Sequence, residues 1–93
     1  MLPRTLCNRE DVPQLVRASG SVGANYIEAN DALSRKDFKM RVKISRKESK
    51  ESRYWLRLVD TGDKEPVEIE RKWLIGESTE LMLIFGKIVR VTE

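Results

Sequence analysis

Histidine is absent from these 93 residues, and cysteine occurs once, at Cys7. The first absence removes the commonest general base and the commonest metal ligand. The second rules out an intrachain disulfide and leaves a zinc site dependent on several carboxylates. A lone thiol near a terminus reads as incidental rather than nucleophilic, and the lack of a disulfide framework points to the cytoplasm. No apolar run approaches the roughly 20 residues of a membrane span. The opening stretch MLPRTLCNRED has no apolar core of the kind a secretory signal carries. P-loop, GxSxG and GxGxxG patterns are missing too. Together these absences argue against an enzyme: no catalytic residue, metal, cofactor or small-molecule substrate is expected.

What is present suits a single small helical domain. Charged residues make up 35% and hydrophobic ones 40%, with five Gly and three Pro, too apolar for a disordered chain. A chain of this length buries a modest share of its surface, so self-association is a natural further source of stability. Repeats and low-complexity segments are absent.

Three helices are predicted. Asp11 to Asn30 places Leu15, Val16, Ser19, Val22, Gly23, Tyr26 and Ile27 within about 140° of arc. Gly20 and Gly23 each cost about 1 kcal/mol in a helix interior, which implies either close approach to a neighbouring helix or a break at SGSVG. Ser34 is a good N-cap, with Asp37 at the capping-box position. It opens a second helix over Arg35 to Val59, with Phe38, Val42, Ser45, Ser49, Ser52, Leu56 and Val59 as a heptad seam. Three serines in that seam imply tight packing with little apolar bulk. Met40, Ile44, Trp55 and Leu58 make a second strip, so this helix is expected to touch neighbours on two sides. Gly62 supplies the stop. The third helix runs from Glu65 to Val91, with Pro66 and acids in its first turn. It carries two seams: Leu74, Leu81, Ile84, Ile88 and Val91, and beside them Met82, Phe85 and Val89. They imply burial between helices together with an interface to another subunit.

The charge is unevenly placed. Ten of the eighteen basic residues fall between Arg35 and Leu58 beside three acids, giving that segment +7 and the rest of the chain −4. On a helical projection Arg35, Lys36, Lys39, Lys43, Arg46, Lys47, Lys50, Arg53 and Arg57 lie within about 120° of arc, on a helix about 35 Å long. Arg41 alone falls outside. A solvated face usually interleaves both signs; here like charges recur at i+3, i+4 and i+7. Three readings stay open. The stripe contacts RNA or DNA phosphates, or pairs with acids such as Glu65, Glu68, Glu70, Glu77 and Glu80 of another helix, subunit or protein partner, or is simply solvated. Phosphate contact with little base preference leads, because only Tyr54 offers a ring near the stripe. A second constellation, Asn25, Glu28, Arg41, Lys47, Glu48 and Glu51, reads first as a buried polar network fixing helix register, ahead of plain surface pairs and of acid–base or metal chemistry.

These residues also carry a resemblance. VRASGSVGANYIEANDALSRKDF, followed by RKESKESRYWLRLV, resembles the signature of the four-helix-bundle proteins encoded by 23S ribosomal RNA intervening sequences. The matching positions are Arg17, Ser19, Ser21, Val22, Ala24, Asn25, Glu28, Ala29, Ser34, Phe38, Lys47, Glu48, Glu51, Trp55 and Leu56. ESTELMLIFGKIV is similar to the last helix of that family. The resemblance implies an all-α, antiparallel up-and-down helical bundle, commonly assembled as a ring-like homopentamer. The relatives include the accessory variability protein of diversity-generating retroelements, which works with a reverse transcriptase and nucleic acid. One departure is plain: the family has a helix ahead of the region matching Asp11, where this chain has ten residues. An apolar groove, open or filled by a neighbour, is the expected consequence.

Overall fold

A computed structural model describes residues 2–92. The chain is all-α: α1 spans Leu6–Asn30, α2 Arg35–Leu58 and α3 Glu65–Thr92. The second and third helices fall within a residue of expectation. The first begins five residues before Asp11, and its cause is local. Thr5, extended at φ −90° and ψ 165°, accepts from the Asn8 amide at 3.1 Å, satisfying one of the orphan donors of a helix start. Asn8 then bridges to the far loop. Its Nδ2 donates to the carbonyls of Pro3 and Asp60, each at 2.8 Å, and the Asp60 amide donates back to its Oδ1 at 2.7 Å.

The helix continues through Pro13, which costs the backbone bond to the carbonyl of Arg9. Both residues are exposed, so water can replace it. It also runs unbroken through SGSVG. Neither explanation expected for the glycines holds within the chain: there is no break, and a Cβ at Gly20 or Gly23 would meet nothing within 4 Å.

Ser34 caps α2 as expected, its Oγ accepting from the Asp37 amide at 3.1 Å. Val59, not Gly62, is the C-cap, its amide bonded to the Trp55 carbonyl. Gly62 serves the loop instead. Its φ of +67° is left-handed, and a Cβ there would approach Pro3 Cγ to 3.0 Å, so a side chain would be disfavoured twice. Arg71 closes the corner, donating to the Val59 carbonyl at 2.8 Å and to both Glu68 oxygens at 2.6 and 2.7 Å.

α2 lies between its two neighbours, whose Cα atoms do not approach within 8 Å of one another. α1 and α3 meet through Tyr26 and Phe85, ring centroids 5.8 Å apart, over a core of Ala29, Val42, Phe85 and Val89. The heptad seam of α2 is buried from Val42 to Val59, with Phe38 half-buried. The serines are small and satisfied: Ser45 Oγ bonds the Val22 carbonyl across to α1 at 3.1 Å, and Ser49 and Ser52 bond back along α2. Towards the other end an apolar groove of about 230 Å³ opens between α1 and α3, walled by Leu15, Leu56, Val59, Val67 and Leu74. On α3 the Phe85 and Val89 seam is buried, whereas Leu74, Leu81, Ile84 and Val91 are exposed.

Candidate nucleic-acid interface

Burial of the serine seam fixes how α2 is rotated. Its α1 side is marked by Ser45 and Arg41, its α3 side by Arg46 and Arg53, and the remaining face turns outward. On that face Arg35, Lys36, Lys43, Arg46, Lys47, Lys50 and Arg57 are exposed, and Lys39 and Arg53 are half-buried. Two members are drawn inward. Arg53 donates to Thr79 Oγ1 at 3.3 Å, and the Arg46 guanidinium covers Gly86, where a Cβ would lie 3.6 Å from its Nε. Lys36, Lys43, Lys50 and Arg57 enter no ion pair among the described residues; the pairs there are Arg17–Glu51 and Arg71–Glu68. Four unpaired cations thus line some 32 Å of helix at about 1.5 Å per residue. Tyr54 lies among them, 55% exposed, its ring edge-on to Trp55 at 5.0 Å.

The sequence profile of the 23S rRNA-intervening sequence protein family matches residues 7–70, which takes in α1 from its second residue, α2 and the first six residues of α3. The chain belongs to this family. No curated protein and no solved structure matches it.

Of the fifteen positions that carry the family resemblance, eight lie on α1 and six on α2, and part of the expected polar network forms between these two helices. Arg41 donates to Asn25 Oδ1 at 3.2 Å, and Asn25 Nδ2 donates to the carbonyl and hydroxyl of Ser21. Glu48 is buried, 7% exposed, and its Oε2 meets no partner among the described residues, nor does Arg41 Nε. Burial pushes the Glu48 carboxyl up from its ordinary range, the neighbouring Glu51 adds to the rise, and Arg17 and Lys47 oppose it. Glu51 reaches Arg17 at 3.9 Å rather than Lys47 one turn before it. Glu28 and Lys47, which the sequence pattern assigns to this network, are both exposed and hydrogen-bonded to none of its members. Arg17 and Ser21 are its unforeseen members.

At the corner, Glu68 behaves oppositely to Glu48. The Thr61 hydroxyl and then the Arg71 guanidinium hold its carboxyl below the ordinary range. This cluster joins loop to helix and has no part in the basic face. Among the described residues no group of three acidic or thiol side chains is placed to hold a metal, and no helix is long and apolar enough to cross a membrane.

Proposed function

We propose that this protein is a non-enzymatic, self-associating helical protein that contacts RNA or DNA phosphates through the outer face of α2. The carrying observation is that exposed Lys36, Lys43, Lys50 and Arg57 enter no ion pair among the described residues. Like charges at i, i+3 and i+4 on a helix cost stability, and a phosphate backbone is the ligand chemistry that would repay it. Lys36, Lys43, Lys50 and Arg57 form the contact surface, flanked by Arg35 and Lys39. Arg46 and Arg53 serve it less, being engaged with α3. Tyr54 offers one base a stacking surface. Recognition is then of backbone and shape, with weak base preference. The absence of histidine and a single cysteine suit binding rather than chemistry, and a cytoplasmic setting.

Fluorescence anisotropy with a structured RNA and a DNA duplex over a salt series tests this reading. Binding that weakens steeply with salt supports it; a flat slope, or binding no tighter than millimolar at low salt, overturns it. A second reading has its own support in the flank of α3 that carries exposed Glu80 and half-buried Glu77: a structural assembly in which neighbouring subunits' acids cover the stripe. Salt-driven loss of assembly without nucleic-acid affinity would favour that reading.

A further inference from the structure

Between α1 and the outer face of α2 lies a cleft of about 330 Å³, walled by Arg17, Lys50, Glu51, Tyr54 and Trp55. That volume stands at the lower end of the roughly 300–1,000 Å³ of small-ligand sites, so it suits one planar group rather than an extended ligand. Tyr54 and Trp55 meet at 5.0 Å with their planes 73° apart, which gives the cleft an aromatic corner. Tyr54 is exposed and Trp55 half-buried, so a flat ring can lie against one of them with its edge left free.

Glu51 is the member that phosphate contact does not explain, because a carboxylate repels a phosphate. Its side chain is 37% exposed, and Arg17 approaches it only to 3.9 Å, beyond hydrogen-bond range. Arg17 bonds instead to Gln14 Oε1, at 3.2 and 3.3 Å. Buried Glu48 hydrogen-bonds Glu51 from within. A carboxylate has about four lone-pair sites, so Glu51 keeps acceptors for a ligand.

We infer that this cleft takes the base of an unpaired guanine in a nucleic-acid strand, with Glu51 accepting from its N1–H and N2–H. The acceptor-only chemistry of a carboxylate carries the choice. Among the bases, guanine alone sets two donors side by side on its Watson–Crick edge. Adenine and cytosine set an amino donor beside a ring acceptor, and uracil and thymine set one donor between two acceptors. Each of these turns a lone pair towards Glu51. The aromatic corner supplies stacking, and Arg17 and Lys50 stand ready for the flanking phosphates. A duplex occupies that edge, so the guanine belongs to a loop, bulge or single strand. The inference rests on the proposed phosphate contact for its strand and adds one position at which base identity is read.

Two readouts test it, with circular dichroism confirming the fold of each variant. The first is anisotropy with RNA hairpins that differ only in one unpaired loop nucleotide. The guanine loop should bind about tenfold tighter than the adenine, cytosine or uracil loops, with inosine, which lacks the N2 amino group, in between. Glu51→Gln should erase that preference and leave the salt dependence in place. Tyr54→Ala should weaken all the loops about fivefold or more, since stacking tolerates any base. Lys36→Ala/Lys43→Ala, outside the cleft, should flatten the salt dependence and keep the preference. The second readout needs no strand. In Trp73→Phe, which leaves Trp55 as the single tryptophan, guanosine 5′-monophosphate should quench emission at lower concentration than the other three nucleotides. Equal affinity for all the loops overturns the inference, and with a steep salt slope the phosphate reading survives it. If no hairpin binds, the phosphate reading fails, and the nucleotides decide: selective quenching by the guanine nucleotide upholds the cleft, and its absence overturns it.

Discussion

At the residue scale two glutamates respond to pH in opposite senses. Glu48 is raised by burial and by Glu51, so its contribution to stability is full below the ordinary glutamate range and is lost as pH rises through its folded value. Glu48→Gln keeps a donor for Glu51 and removes the buried charge. It should raise Tm at pH 7, with the gain vanishing at about pH 3.5, where both states of the native protein are protonated. Glu68 is lowered by Thr61 and Arg71, so its contribution is present above the ordinary range and lost on acidification. Glu68→Gln should lower Tm at pH 7, with a deficit that shrinks as pH falls through the folded value. Thermal melts of both variants across pH decide each sign.

At the scale of elements, α2 is held by close packing against both neighbours. Ser49 is 1% exposed, with room for a hydroxyl and little more. Ser49→Leu should cost about 1–3 kcal/mol through overpacking, despite improving the apolar count of the seam, and urea unfolding would measure it. That seam was legible in the sequence because a heptad of mixed Ser and apolar residues makes sense only as a buried strip. The start of α1 was not. Leu6 and Cys7 are exposed and give no periodic signal, and the helix depends on the Thr5 cap and on Asn8 meeting Asp60, 52 residues away. The candidate site divides in the same manner. A helical projection of α2 alone delivers the cation stripe. That Arg46 and Arg53 turn inward depends on Gly86 and Thr79 of α3. Likewise Glu28 and Lys47 share register with the polar network but point away from it, because the rotation of α1 against α2 is a tertiary fact.

For the whole molecule, three helices with extents of 45 × 20 × 15 Å form a slab rather than a closed bundle. Its faces are chemically distinct: cations on α2, an apolar groove between α1 and α3, and exposed Trp73, Ile84 and Val91 on the outer side of α3. The central claim is that the outer face of α2 binds phosphates. The most direct test compares the slope of log K against log salt for the native protein and for Lys36→Ala/Lys43→Ala/Lys50→Ala/Arg57→Ala on duplex DNA. Each lost phosphate contact should flatten the slope by about 0.9, so the variant should lose roughly 3–4 in slope if all four cations engage. Equal slopes for the two proteins would contradict the account.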